Sequence, residues 1–286
     1  MTDRREFLLK SAALAAAASL PVASAGETRM PCLFLGHAGP DMGKDKKRGA
    51  QYKAMGDLLP RKPNGIVAFT PHVREQEITI ADLGIARRSF PRRFRRFAEG
   101  LRYHPPHAIT LSSAVEYLLR RGPFDIDPQP HRGFNHTIWM PLIHIFPNGD
   151  IPLVEVSLPF ANSSRLFELG RLLSPLRDEG ILILSSGTLT HNLATLFEYD
   201  TTPNWAAEFD RWADETLRDG DVDSLINWRD RAPAAELAHP DDGAHFNVML
   251  VAAGAAYESN NALAKVSTHH PGFELATFST RDLLFR

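Results

Sequence analysis

Four histidines stand where apolar segments end: His37 in Leu35-Gly36-His37-Ala38-Gly39-Pro40, His72 in Phe69-Thr70-Pro71-His72, His191 in Thr188-Leu189-Thr190-His191-Asn192, and His245 in Ala244-His245-Phe246. Imidazole is the commonest protein metal ligand and also titrates near neutrality. If these side chains converge, they make a metal site that carries its own acid or base. Taken singly, each reads first as a hydrogen-bonded histidine at a strand end. The candidate chemistry therefore depends on which elements bring them together.

The apolar runs 30–35 and 65–70 are short and bounded by Gly and Pro, as buried strands are, and each stops within two residues of a candidate ligand. Runs 151–158 and 180–185 repeat the pattern with Val and Ile, and 275–279 reads as a last strand. Between them lie helical patterns. Thr202-Pro203 opens one whose Ala206, Phe209, Trp212, Ala213 and Leu217 share a face until Gly220; a second spans 163–173, and 245–256 reads as a buried helix with His245 in its first turn. Strands alternating with helices predict one α/β domain, with a mostly parallel central sheet flanked by helices. In such sheets ligands gather at the carboxyl ends of the strands, where these histidines lie.

Residues 1–25 read as an address label: Arg4-Arg5-Glu6-Phe7-Leu8 resembles a twin-arginine export signal, 11–20 is an alanine-rich apolar stretch, and Ala23-Ser24-Ala25 is a small-residue cleavage site. The stretch is about half of the ~20 residues a spanning helix needs, so no stable membrane anchor is expected after cleavage. The expected mature domain is 26–286, delivered folded to a bacterial periplasm. A single cysteine, Cys32, excludes an internal disulfide even there. A net charge of −2 gives no general attraction to nucleic acid. One basic stretch, Arg87 to Phe97, spaces Phe90, Phe94 and Phe97 for a helix from Pro91 with its arginines outward. It reads either as a solvated face or as an arginine rim for a substrate carboxylate. The oligomeric state is not written in any of these features.

Five blocks in order resemble the class III extradiol ring-cleavage dioxygenase superfamily, in its DOPA-4,5-dioxygenase-like branch. They are Met30 to His37, Gly65 to His72, His136-Thr137-Ile138-Trp139-Met140-Pro141-Leu142 with Phe146 to Val154, Ser186 to Leu193, and Ala244-His245-Phe246. The resemblance implies that His37, His72 and His245 bind one divalent metal, with His191 as a further ligand or the catalytic base. It also implies that His136 stands over the substrate and that Asn192 orients the loop after His191. The implied reaction opens a catechol-type ring with dioxygen: the diol chelates iron(II), a base takes its proton, and an open metal position admits oxygen.

Three positions depart from the family pattern. Asn135-His136-Thr137 stands where Asp-His-Gly is common, Gly36-His37-Ala38-Gly39-Pro40 where Gly-His-Gly-Ser-Pro is usual, and Ala244 where a Glu normally precedes the last histidine. A histidine-only set admits Zn(II) as well as Fe(II), unless Asp41, Asp241 or Asp242 supplies a carboxylate. Two other functions stay open at this level: a zinc-dependent hydrolase using the same residues, and a binding protein that keeps the fold without turnover.

Overall fold

The computed structural model describes residues 29–37, 39–83, 95–258 and 260–286. The export signal and most of the arginine-rich stretch lie outside these residues. Among them, nine strands run β1 (Cys32–Gly36), β2 (Gly65–Glu75), β3 (Ile80–Ala81), β4 (Leu153–Pro159), β5 (Ile181–Gly187), β6 (Val266–His269), β7 (Phe273–Glu274), β8 (Phe278–Ser279) and β9 (Asp282–Phe285). The helices of ten residues or more are α1 (Lys46–Asp57), α2 (Ile109–Leu119), α3 (His136–Ile145), α4 (Ser163–Leu173), α5 (Asn204–Asp219) and α6 (Ala244–Ala255). None of the described helices is long and apolar enough to cross a membrane.

The sheet order is β3-β4-β2-β5-β1-β9-β6. Its centre, β4-β2-β5-β1, is parallel, and β3, β9 and β6 add antiparallel edges. Alternation along each strand divides the core between two faces. Cys32, Phe34, Val67, Phe69, Ile181 and Ile183 pack towards α2, α4, α5 and α6. Leu33, Leu35, Ile66, Ala68, Leu182 and Leu184 pack towards α1 and α3. The expected mostly parallel sheet covered on both sides is what the chain forms.

Two strand readings change. β2 continues beyond residue 70 to Glu75, with a register shift against β4 between Thr70 and Arg74. Pro71 has no N–H to give a ladder, and such irregularities re-aim side chains beside active sites. His72 therefore sits inside a distorted strand rather than after a straight one. Residues 275–279 are not one strand: β7 and β8 form a hairpin whose turn residues Leu275 and Ala276 have φ of 47° and 62°, and the last strand is β9. Apolar composition alone cannot distinguish a strand from a turn that tertiary contacts hold in place.

The end of β1 is pinned from below. Asp282 accepts a hydrogen bond from the Gly36 N–H at 2.9 Å and pairs with buried Arg48 at 2.7 Å, while Arg48 also donates to the Gly36 carbonyl. A buried pair of this kind is costly to break, because removing one partner strands the other charge. The consequence is a fixed starting point for His37.

Candidate metal centre

His37, His72 and His245 come from the ends of β1, from distorted β2 and from the first turn of α6. One ring nitrogen from each lies within 4.8 Å of the others. Their rings meet edge to face, with centroids 5.1 Å apart for His37 and His72, 5.3 Å for His37 and His245, and 5.2 Å for His72 and His245. His72 Nε2 and His245 Nε2 are 3.3 Å apart. Two nitrogens each about 2.1 Å from one ion lie roughly 3.0–3.4 Å apart at tetrahedral or octahedral angles.

Proton affinity points the same way. Burial, with the neighbouring imidazoles second, holds His37 and His245 well below the ordinary histidine range and lowers His72 to about 3. The edge of His72 is exposed to solvent, but its ring lies among those of His37, His136 and His245, which is why desolvation dominates. All three are therefore neutral at pH 7. At 3.3 Å the two nitrogens either share one N–H···N bond or both turn lone pairs towards a cation, and their low proton affinity leaves those lone pairs available to a metal ion. The donor set fits a divalent ion.

A hydrogen bond behind the His37 ring chooses its tautomer. Ser186 donates its only hydroxyl proton to the Thr137 carbonyl at 2.8 Å, so at His37 Nδ1, 3.2 Å away, it must accept. That contact leaves His37 Nε2 with its lone pair free for the centre. Thr137 Oγ1 donates to Asn135 Oδ1 at 2.9 Å and meets Thr70 Oγ1 at 2.7 Å, and Thr70 in turn accepts the His72 N–H at 3.3 Å. The first turn of α3 thus links the segments carrying His37, His72 and His136.

Asn135 caps α3 through Thr137 N, and its own N–H is held at 2.5 Å by Glu155, a buried carboxylate inside β4 that also pairs with Arg132 at 2.7 Å. Burial raises the Glu155 pKa, and Arg132 opposes that rise. Asn135 therefore positions the helix start that carries His136. The buried His136 ring lies 5.4 Å from His72.

His191 lies flat against His245, with centroids 3.5 Å apart and planes 7° from parallel. Its other face meets Phe278 at 5.1 Å and 15°. Burial lowers its pKa, opposed by Asp241, whose Oδ2 is 4.0 Å from His191 Nδ1. Asn192 fixes the following loop, accepting from Ala194 N at 3.0 Å and donating to the Leu237 carbonyl at 2.7 Å. Gly187 makes the crossing possible. His37 N donates to its carbonyl at 2.7 Å and Thr188 N to the His245 carbonyl at 3.2 Å, so a Cβ on Gly187 would run into the His245 carbonyl oxygen.

Of the three acidic residues near the cluster in sequence, only Asp241 joins a ligand-type group, with His191 and His245. Asp242 is paired with Arg74, and Asp41 is exposed in the turn after Gly39. His239 is a core residue, donating through Nε2 to the Leu189 carbonyl at 2.8 Å. Sequence patterning missed Ser186, Thr190, Glu155 and Phe278. Only Glu155 left a signal, as a carboxylate within an apolar strand.

A profile for the catalytic LigB subunit of aromatic ring-opening dioxygenase matches residues 33–279, which takes in every histidine of the centre. The chain belongs to the LigB family. A 4,5-DOPA dioxygenase extradiol from Portulaca grandiflora is 32% identical over 242 residues, covering 80% of this chain and 87% of that protein. One of the same name from Escherichia coli K12 is 32% identical over 244 residues, covering 80% and 86%. The crystal structure of an uncharacterized protein from Escherichia coli K12 superposes with a TM-score of 0.75 at 27% identity, covering 90% of this chain and all of that one. As a LigB-family protein the chain is an oxygenase by descent, with a histidine-rich site suited to a metal.

Proposed function

We propose that this LigB-family protein is a metal-dependent extradiol dioxygenase that opens a catechol-type aromatic ring with dioxygen. The observation that carries the reading is the meeting of His37, His72 and His245 within mutual ligand reach, with His136 and His191 beside them. A divalent cation held by these three, Fe(II) or Zn(II), would supply a chelation point for the catechol oxygens and, as iron, an electron path to dioxygen.

His191 takes the proton-transfer role. His191 also lies within ligand reach of His245 and Asp241, but its ring runs parallel to that of His245 instead of converging with it on one point, and this supports reading it as the base beside the metal. Its lowered pKa leaves it unprotonated at neutral pH and able to accept the catechol proton. Asp241 Oδ2 lies 4.0 Å from Nδ1, and the negative charge on that side favours the proton at Nδ1 and therefore Nε2 as the acceptor. His136, fixed at the start of α3, donates a hydrogen bond to the substrate. Ser186 holds His37 in the tautomer that turns Nε2 inward.

Anaerobic Fe(II) reconstitution, followed by a catechol panel on an oxygen electrode, tests the proposal. Catechol-dependent oxygen uptake is expected. The second reading, a zinc-dependent hydrolase, is favoured by the lack of a carboxylate in the three-histidine group among the described residues. Ester or amide hydrolysis by zinc-loaded protein, with no oxygen uptake on any catechol, would establish that reading instead. Export is proposed on the twin-arginine pattern: Arg4→Lys with Arg5→Lys should strand the protein in the cytoplasm of a fractionated bacterial host.

A further inference from the structure

We propose that the β7–β8 hairpin is a built part of the active site, in which Phe278 acts as the positioning residue that holds the His191 ring parallel to His245. This rests on the reading of His191 as the proton acceptor. Three independent features carry it.

The first is the stack itself. Phe278, His191 and His245 form three successive layers, with interplanar angles of 15° and 7°. Without the phenyl face, the His191 imidazole would be free to rotate about χ2, a broad torsion for this side chain. The two nitrogens of the ring would then exchange places relative to the substrate.

The second is the way the hairpin is tied to the site. Thr190, next to His191, donates to the Thr277 carbonyl at 2.7 Å and accepts from Ser279 N at 3.0 Å. Glu274, on the other arm, accepts from Gly39 N at 2.9 Å, two residues beyond His37. The hairpin is thereby fixed to the chain segments of two site histidines.

The third is backbone strain. Leu275 and Ala276 both hold positive φ, a conformation that costs roughly 1–2 kcal/mol for each residue with a Cβ and that glycine or asparagine usually fills. Strain of this kind persists where surrounding contacts over-determine the backbone, and it gathers at functional sites. Here the two ties just described supply those contacts.

The test compares Phe278→Leu, which keeps apolar volume but loses the ring face, with Phe278→Tyr, which keeps the ring. Phe278 is only half-buried, so both should fold; Phe278→Met serves if Phe278→Leu does not. The first readout needs no turnover. In zinc-loaded protein the His191 ring C–H resonances, assigned by their loss in His191→Gln, should be shifted upfield by the rings on either side. Loss of the phenyl ring current moves them downfield in Phe278→Leu whatever the imidazole does, so orientation is read from nuclear Overhauser contacts. His191 Hδ2 and Hε1 should keep distinct contacts with the His245 ring in the native protein and in Phe278→Tyr and should average them in Phe278→Leu. The second readout is kinetic: Phe278→Leu should keep its metal and its affinity for 4-nitrocatechol but lose roughly 10- to 100-fold in kcat, with KM little changed and activity restored in Phe278→Tyr.

Distinct His191 Overhauser contacts retained in Phe278→Leu would overturn the proposal, as would wild-type kcat in that variant or equal losses in Phe278→Leu and Phe278→Tyr. If wild-type protein consumes no oxygen with any catechol, the functional reading fails while the Overhauser contacts still decide whether Phe278 orients His191.

Discussion

His239 and His245 stand six residues apart, and burial depresses the proton affinity of both, yet they do different work. His239, at about 4, gives its Nε2 proton to a backbone carbonyl and is walled by Phe209, Trp228 and Phe246 at centroid distances of 5.5, 5.3 and 6.0 Å. His245 turns its Nε2 towards another imidazole nitrogen. A lowered pKa therefore does not mark a functional histidine. What marks it is whether the neighbours are aromatic carbon and a backbone acceptor, or further lone pairs aimed at one point.

The sharpest way to break this comparison is to remove a ligand. His37→Ala and His72→Ala should abolish metal retention, measured by elemental analysis of purified protein, whereas His239→Ala should keep a full complement. Full metal in the first two would take them out of the site. Gly187→Ala, which drives a methyl into the His245 carbonyl, should cost about 3 kcal/mol in urea unfolding by overpacking and should weaken metal binding as well. A melt like that of the native protein would mean the crossing of β5 and α6 is not tight. Smaller still, His239→Ala should cost about 2 kcal/mol, since it leaves a cavity and a carbonyl without its donor.

Acid sharpens the contrast further. Unfolded histidines protonate near ~6.5, while folded His239 does so at about 4 and His72 at about 3, so the unfolded chain takes up protons first as pH falls. Stability of the metal-free protein should be complete above pH ~6.5 and decline from there towards pH 4 and below. Saturating zinc should protect the part that belongs to His37, His72 and His245 but not the part that belongs to His239. Melting temperatures that fall along one curve with and without zinc would contradict a shared ion. The smallest effect is expected at the hairpin turn, where Ala276→Gly should add about 1 kcal/mol by relieving positive φ.

Much of the scaffold was legible because its signals are local. Buried parallel strands read as short Val- and Ile-rich runs, and α5 begins right after Pro203 and ends at Gly220 with φ of 70°. Three of the histidines could be picked out for the same reason, since His37, His72 and His191 close or follow such a run, whereas His245 opens a buried helix. The hairpin was not legible, because 275–279 has the composition of a strand and is bent by contacts to Thr190 and Gly39 that lie far away in sequence. Nor could Ser186 be recognised as a partner for His37, since a serine at a strand end carries no mark of what lies 149 residues earlier.

What the chain determined by itself was the kind of layered α/β sheet it forms and which imidazoles would reach the carboxyl edge, because period-2 burial and strand punctuation are properties of neighbouring residues. Tertiary structure alone decided which nitrogen His37 offers, that His191 stacks on His245 in a parallel plane, and that Phe278 closes the stack. Those outcomes depend on hydrogen bonds and ring contacts between segments far apart in sequence, such as His37 with Ser186 and His191 with Phe278, and no local pattern encodes a distance of that kind.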